Sequence, residues 1–285
     1  MHKILTAGRF RIELNRPLLM GVVNVTPDSF SDGGRYLGAE DAIAQAWRLI
    51  EAGAAFIDIG GESSRPGSEG VAASDEIARI RPVVHALRDA NVPVSIDTVK
   101  VAVMQTALDA GATMVNDINA LQAPGALKAV AASNAAVCLM HMKGAPRTMQ
   151  VAPHYENVID EVKQFLVDRA KATMAAGIAP GRIVLDPGFG FGKSLEHNLD
   201  LLRRLGELAS LGFPVLAGLS RKSMLGAITG RPVEDRLHAS VAAALLAAER
   251  GASILRVHDV TATRDALALL DAVLSKPGYV DDRSK

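Results

Sequence analysis

The fold class this 285-residue sequence predicts is α/β: a single-domain (β/α)8 TIM barrel with its active site at the C-terminal ends of the strands. Three observations predict it. Eight short β-branched or apolar runs alternate with Ala- and Leu-rich segments of helical period. The unit returns about every 30 to 40 residues, with no Ser- or Pro-rich linker and no break in composition. Polar or charged residues gather just past the end of each run, whereas the helix-to-strand junctions are mostly Gly and Ala. An open doubly wound sheet is the alternative, and it would collect its polar residues at one switch point rather than in a ring.

Taken in order, the run Leu18 to Val25 leads through a Gly-bearing insertion to a helical stretch, Glu40–Ala52, which stops at Gly53 before Ala55 to Gly60. A second polar insertion and the helix Asp75–Ala90 lead to Val92 to Asp97. The helix Val99–Ala110 stops at Gly111 before Thr113 to Ile118, and a short helix near Gly125–Ser133 precedes Ala136 to His141. Glu156–Ala176 stops at Gly177 before Ile183 to Asp186, and Leu195–Leu211 leads to Val215 to Leu219. Val233–Arg250 stops at Gly251 before Ile254 to His258, and Thr261–Leu274 closes the series. A left-handed helix C-cap favours Gly for steric reasons, so the four stops have a physical cause. Residues 1–285 are taken as one barrel domain, with 1–17 as an N-terminal extension and 277–285 as a flexible tail.

Composition narrows the function classes. With 49% hydrophobic and 22% charged residues the chain can bury a large core, which excludes disorder and a coiled coil. Lys plus Arg and Asp plus Glu both number 31, so no global field draws the protein to nucleic acid or an anionic membrane. Any anion site is local. The one cysteine, Cys138, lies in the apolar run Ala136-Val137-Cys138-Leu139-Met140 and reads as a buried thiol. It supplies neither a disulfide nor a zinc motif, which fits a reducing compartment. The N-terminus mixes Lys3, Arg9, Arg11 and Glu13 with apolar residues and shows no signal-peptide core, and no stretch nears the length of a membrane span. A cytoplasmic protein without nucleic-acid or membrane partners is expected.

The ends of the runs deliver Asn24, Glu62 with Ser63, Ser64 and Arg65, Asp97, Asn116 with Asp117, His141, Asp186, Arg221 with Lys222, and Arg256 with His258. Asp97 and Asp186 follow apolar strand residues and belong deep in the mouth, where buried carboxylates need donors. With the Asn116 amide they suit a flat, nitrogen-rich heterocycle bearing amino and ring N–H groups. Capping of loops or pairing with Arg is the structural alternative. Arg65, Lys222, Arg256 and His258 bring positive charge from separate strand ends and read as an anion site, since four basic groups facing one mouth repel each other without a ligand. Asn24, Asp28 and Ser31-Asp32-Gly33-Gly34 add oxygen ligands. Magnesium takes few protein oxygens beside substrate phosphates, so it fits with a diphosphate better than in a protein cage. The insertions Thr26–Leu37 and Ser63–Ala73 read as lids.

Other motifs fail. Gly188-Phe189-Gly190-Phe191-Gly192-Lys193-Ser194 is one residue short of a phosphate-binding loop, with Pro187 where the first Gly belongs, and it breaks the GxGxxG spacing. Ser220 lacks the second Gly of a nucleophile elbow. His2, His85 and His154 give no metal spacing and read as surface residues.

Five segments in order, Asn24-Val25-Thr26-Pro27-Asp28-Ser29-Phe30-Ser31-Asp32-Gly33-Gly34, Gly61-Glu62-Ser63-Ser64-Arg65-Pro66-Gly67, Asp186-Pro187-Gly188-Phe189-Gly190-Phe191-Gly192-Lys193, Ser220-Arg221-Lys222-Ser223 and Arg256-Val257-His258-Asp259, resemble the dihydropteroate synthase family. The resemblance implies a pterin-binding barrel that joins a dihydropterin diphosphate to 4-aminobenzoate, releasing diphosphate and forming 7,8-dihydropteroate for folate synthesis. It also implies Mg²⁺, a homodimer and sensitivity to sulfonamides. By the same resemblance Asp97, Asn116, Asp186 and Lys222 hold the pterin. Asn24, Ser64, Arg256 and His258 hold the diphosphate, with Asn24 also reaching Mg²⁺. Ser64, Arg65, Pro66, Phe191, Lys222 and Ser223 shape the aminobenzoate site, and Lys222, Arg256 and His258 are the catalytic set. Ser64 stands where the family more often has Thr, keeping the hydroxyl and losing a methyl.

The mechanism the resemblance implies is loss of diphosphate before attack by the amine. Three rivals differ in class. A barrel lyase with Lys222 as a Schiff base is opposed by the place of Lys222 beside Arg221, where a desolvated lysine is not expected. A methyl-transferring relative is opposed by the Asn24–Gly34 and Ser63–Gly67 motifs, and a pterin-binding protein without turnover by the intact ring. The Ala-rich stretch Val241–Ala248 is the candidate dimer face, with core as its alternative.

Overall fold

The computed structural model describes residues 4–26, 35–63, 70–145 and 148–274, with the backbone alone at 35–37. An antiparallel hairpin, β1 (Ile4–Ala7) and β2 (Phe10–Glu13), precedes eight parallel strands. These are β3 (Leu18–Asn24), β4 (Phe56–Gly60), β5 (Val94–Asp97), β6 (Met114–Asp117), β7 (Ala136–Met140), β8 (Ile183–Asp186), β9 (Leu216–Ala217) and β10 (Ile254–Val257). Helices α1 (Arg35–Glu51), α2 (Ala73–Ala86), α3 (Val101–Ala110), α4 (Ala126–Ala131) and α5 (Val158–Ala175) follow β3 to β7 in turn. Two helices, α6 (Leu195–Arg203) and α7 (Leu205–Ala209), follow β8; α8 (Ser223–Thr229) and α9 (Leu237–Glu249) follow β9; and α10 (Val260–Leu274) follows β10.

The hydrogen-bonded order β8-β7-β6-β5-β4-β3-β10-β9 makes a sheet whose edge strands meet through one parallel bridge, Leu185 to Val215, backed by the Leu185 N–H donating to Pro214 O at 2.9 Å. The result is the (β/α)8 barrel. Outward residues such as Val23, Ile57, Ile96, Val115, Val137, Leu139, Leu185 and Leu255 pack under the helices, while Met20, Phe56, Met114, Cys138, Val184, Leu216 and Ile254 fill the barrel interior. Both faces of every strand are thereby covered, which is why the sequence shows continuous apolar runs rather than alternation.

The segment expected as a plain N-terminal extension carries the hairpin. Its Leu5 and Ala7 are fully buried and join Leu14 against the lower layer of barrel residues. Gly8 N–H donates to Asn134 O (2.9 Å) and Arg9 Nη2 to Ala90 O (2.8 Å), both just upstream of strands, so the hairpin covers the N-terminal end of the barrel. Strands of four residues carry too little pattern to be read from sequence. The expected tail at 277–285 lies outside the described residues.

Helix boundaries differ in three places. The stretch Leu195–Leu211 divides at Arg204 (φ −104°, ψ 17°), whose side chain binds Glu207 at 2.7 Å. Val233–Arg250 becomes a 3₁₀ turn over Val233–Asp235 after Pro232, then α9. The short α8 was not foreseen, because seven residues hold too little periodicity. Helix α3 ends as expected, with Gly111 left-handed at φ +117°. Within the Val241–Ala248 stretch Ala243, Ala244, Ala247 and Ala248 are buried in the chain's own core, while Leu246 on the opposite face is exposed. Cys138 is fully buried, as read from sequence, and burial raises its pKa well above the ordinary thiol value. Among the described residues no helix is long and apolar enough to cross a membrane.

Candidate active site at the barrel mouth

Strand register sets the height of each functional side chain. Asn24 pairs with Gly60, Gly60 with Asp97, and Asp97 with Asn116, so four adjacent strands present one row at the C-terminal end of the barrel. Directly paired residues in a parallel sheet share a face, and this row faces inward. Asp186 pairs with Met140 on the other side of the mouth. The sequence-predicted residues Asn24, Asp97, Asn116, Asp186, Lys222, Arg256 and His258 thus come from strand ends around one opening, and Phe191 joins them from the loop after β8.

An ion-pair network lies at the centre. Arg256 Nε donates to Asp58 Oδ2 (2.6 Å) and its Nη2 to Asp97 Oδ2 (2.9 Å), while Asn116 Nδ2 donates to the same Asp58 Oδ2 at 3.0 Å. Asp58 is fully buried and Asn116 nearly so. Asp58 Oδ1, Asn116 Oδ1 and the neighbouring Ser95 Oγ are buried with no hydrogen-bond partner in the structure. From the sequence Arg256 is one of four basic groups converging on an anion site. Two carboxylates pair with it, and burial, which opposes its charge, is outweighed by Asp58 and Asp97 so that its pKa rises.

The carboxylates carry the cost of desolvation. Burial pushes Asp97 up to about 7 against the lowering effect of Arg256, with Asp58, Asp117 and Glu76 adding to the rise. Asp186 is also raised by burial, against the pull of Lys222; its Oδ1 accepts from Gly188 N–H at 2.7 Å. Both alternatives foreseen for these residues therefore occur, pairing with Arg at Asp97 and loop capping at Asp186. Asp117 turns away from the mouth and accepts from the N–H groups of Asn119 (2.7 Å) and Leu121 (2.8 Å); burial raises it to about 6.

Lys222 corrects an expectation. Its ammonium donates to the Phe189 carbonyl and lies 4.8 Å from the centroid of the Phe191 ring; burial pulls its pKa down to about 8 despite Asp186. It is partly buried after all, because Arg221 turns to Asp259 and leaves Lys222 facing the mouth. Ser223, next in the chain, opens α8 and is exposed.

The glycine-rich loop after β8 has a packing role. Gly188 (φ +67°) and Gly192 (φ +65°) are left-handed, and a Cβ on either would collide with the carbonyl of His141 or of Lys143. Lys193 is 3% exposed, and its ammonium reaches Gly188 O (2.9 Å), Phe191 O (3.0 Å) and His141 Nδ1 (3.0 Å), fastening the loop to the end of β7. Burial lowers Lys193 well below its usual value and His141 to about 3, so His141 stays neutral. The mouth residue read at His141 is therefore a loop support.

Glu62 stands among the strand-end residues read from sequence, and Ser220 lies in a segment that is no nucleophile elbow. Ser220 Oγ lies 2.9 Å from His258 Nδ1. Lys100 bridges Glu62 and buried Glu76 at 2.5 Å each, and Glu62 Oε1 accepts from Val71 N–H at 3.0 Å. Ser64, Arg65, Pro66, Asp28 and most of both proposed lids lie outside the described residues. Sequence reasoning missed Asp58, although an Asp inside the apolar strand Phe56-Ile57-Asp58-Ile59-Gly60 was the available signal, since a buried carboxylate needs a cationic or donor partner.

Among the described residues no group of three His, Cys, Asp or Glu side chains could hold a metal ion. The donor chemistry at Asn24, one amide oxygen at the rim, matches an ion that takes most of its ligands from a bound phosphate and water. The mouth offers three acceptor groups, one lysine and one arginine in a largely buried ring, a set whose chemistry suits an N–H-rich heterocycle beside an anion.

The family model of the pterin binding enzymes matches residues 20–258. A dihydropteroate synthase of Neisseria meningitidis serogroup B is 50% identical over 274 residues, covering 94% of this chain and 96% of that one. Among solved structures, the Xanthomonas albilineans dihydropteroate synthase with 4-aminobenzoic acid superposes with a TM-score of 0.92 at 50% identity, covering 97% of this chain and all of that one. The Burkholderia cenocepacia dihydropteroate synthase complexed with 7,8-dihydropteroate gives 0.87 at 50% identity, covering 95% and 96%.

Proposed function

The chain belongs to the pterin binding enzyme family, and on that premise we propose how its barrel mouth divides the work of the dihydropteroate synthase reaction. The reaction is a transferase step of folate biosynthesis: (7,8-dihydropterin-6-yl)methyl diphosphate and 4-aminobenzoate give 7,8-dihydropteroate and diphosphate. One observation carries the assignment of the pterin pocket. Asp97, Asp186 and the Asn116 Oδ1 atom are acceptors gathered in a largely buried ring, and among the described residues Asn116 Oδ1 has no donor. Amino and ring N–H groups of a pterin supply those donors, and Lys222 supplies a donor to a ring acceptor.

Arg256 and His258, together with Asn24 at the rim, receive the diphosphate, and Ser64 is assigned to the same role. Phe191, Lys222 and Ser223, with Ser64, Arg65 and Pro66, shape the aminobenzoate site. In the step proposed, the bond from the methylene carbon to diphosphate oxygen breaks first, and the electron-rich dihydropterin delocalises the cation. The neutral aromatic amine then attacks that carbon and sheds a proton, so no strong base is required. Arg256 contributes by holding positive charge against the leaving anion. Asn24 would hold Mg²⁺ together with the diphosphate oxygens, and the ion when bound supplies further charge neutralisation there.

We assign the enzyme to the cytoplasm and to a homodimer. Leu246 on α9 and Leu269, Val273 and Leu274 on the neighbouring α10 are exposed apolar residues and provide the face for a second copy. Sedimentation of the Leu269→Glu variant as a monomer would bear this out, and an unchanged dimer would exclude that face.

The deciding assay follows diphosphate release from the dihydropterin diphosphate with and without 4-aminobenzoate and Mg²⁺, together with dihydropteroate formation. Release coupled to product, blocked by a sulfonamide, supports the assignment; pterin binding without product leaves a binding protein. Arg256→Ala is expected to cut turnover far more than aminobenzoate affinity, and the reverse pattern removes Arg256 from the leaving-group role.

A further inference from the structure

Asp58 is a fully buried carboxylate on an inward position of β4, below the row of residues assigned to the ligand. A single oxygen, Oδ2, accepts from two ring members at once, Asn116 Nδ2 at 3.0 Å and Arg256 Nε at 2.6 Å. We propose that Asp58 is a positioning residue that fixes which end of the Asn116 amide the ligand meets and how the Arg256 guanidinium is turned. The inference rests on the pterin reading above and deepens it.

The argument is one of donors and acceptors. An Asn side chain has a donor end and an acceptor end, and a carboxylate only accepts. Committing Nδ2 to Asp58 turns Oδ1 away from it, and a flipped amide would set Oδ1 against a carboxylate oxygen. Asn116 Oδ1 is buried and unpartnered, as a group held ready for a ligand donor must be. The same Asp58 oxygen takes the Nε–H of Arg256 while Asp97 takes an Nη2–H, so the plane of the guanidinium is fixed at two points and, among the described residues, Nη1 is not engaged. One carboxylate therefore selects a donor-bearing heterocycle at Asn116 and aims the remaining arginine N–H groups. Ser95 Oγ, on the paired residue of β5, is also unpartnered, and among the described residues Asp58 is the acceptor that holds the Asn116 Nδ2 group.

The test uses the full-length enzyme, titrated with 7,8-dihydropteroate and assayed for the KM of each substrate. Asp58→Asn is expected to weaken dihydropteroate binding by about ten- to a hundredfold, the size of one buried hydrogen bond to a charged group, with the KM for 4-aminobenzoate within about twofold of wild type. The exchange Asp58→Asn with Asn116→Asp restores a donor facing an acceptor with the polarity reversed, and is expected to regain at least about tenfold of the loss. Equal weakening of both KM values, or no recovery in the double variant, reduces Asp58 to a structural group and overturns the proposal. Wild-type protein that fails to bind dihydropteroate overturns the pterin reading itself; wild type that binds while Asp58→Asn binds equally well overturns only the role of Asp58. Should the variants not fold, side-chain amide NMR of the wild-type enzyme decides, with the Asn116 Nδ2 protons expected to be slow to exchange without ligand. Fast exchange there overturns the proposal.

Discussion

Arg221 grips Asp259 by two bonds, Nη2 to Oδ1 at 2.7 Å and Nε to Oδ2 at 3.2 Å, one residue further along each segment from the contact of Ser220 with His258. The two consecutive rungs tie the loop after β9 to the loop after β10, and Arg221 holds a left-handed φ of +58° to make its rung. Asp259→Ala should release the backbone that carries Lys222. The pair is partly exposed, so the expected stability loss is about 1 kcal/mol or less. The kinetic loss is expected to be larger, with kcat/KM down about tenfold as Lys222 loses its placement. Steady-state kinetics beside a thermal melt separates the two, and a melt shift without a kinetic change denies the rung a role in the site.

Activity should peak in a narrow pH window. Below about 7 Asp97 takes a proton and stops accepting, and above about 8 Lys222 loses its charge. The profile of kcat/KM for the pterin substrate is therefore expected to fall on both sides, with limits belonging to the coupled ring rather than to single residues. Lys222→Arg moves the alkaline limb upward. A flat profile across this range would contradict both shifts.

The ligand-free fold responds to pH with the opposite sign at Asp97. Its folded-state value near 7 exceeds the ordinary 3.8, so the folded chain holds a proton the unfolded chain has released. The stability contributed is complete below the ordinary value and is lost as pH rises through about 7. Asp97→Asn should flatten this stretch of the melting-temperature profile, and an unchanged slope assigns it to other groups.

Gly192→Ala meets both a left-handed φ and the Lys143 carbonyl, whereas Gly177→Ala meets φ +94° with open space around it. The first should cost about 2 kcal/mol or more together with much of the activity, and the second about 1 kcal/mol with kcat intact. Melts and turnover numbers measured side by side check the contrast, and equal effects would show that the loop tolerates the contact.

Leu5→Ala opens a hole at the far end of the barrel from the chemistry. A fully buried leucine lost there should cost about 2–5 kcal/mol in denaturant unfolding while turnover per folded molecule is unchanged. A changed KM would mean that the hairpin reaches the mouth.

The barrel was legible because both faces of each strand are buried and because polar residues mark only one end. Asn24, Asp97, Asn116, Asp186 and Arg256 could be placed by that rule alone. What escaped depends on distances along the chain that periodicity does not encode. Asp58 and Arg256 are 198 residues apart and Lys193 and His141 are 52 apart, so their pairing appears only when the barrel closes. Lys222 looked solvated because its neighbour is an arginine; the turn at Arg221 that sends one cation outward and the other inward is a backbone event with no residue signature, since Gly or Asn is the usual occupant of that conformation.

The barrel closes between β8 and β9 through a single bridge, at the seam flanked by Asp186 and Lys222. Such a seam is the natural place for the wall to breathe, and amide exchange should be fastest there in the ligand-free enzyme. A heterocycle held by Asp186 on one side and Lys222 on the other acts as a stitch across it. Occupancy of the pocket then registers as slowed exchange in the backbone of the two strands, even though the ligand touches them only through side chains.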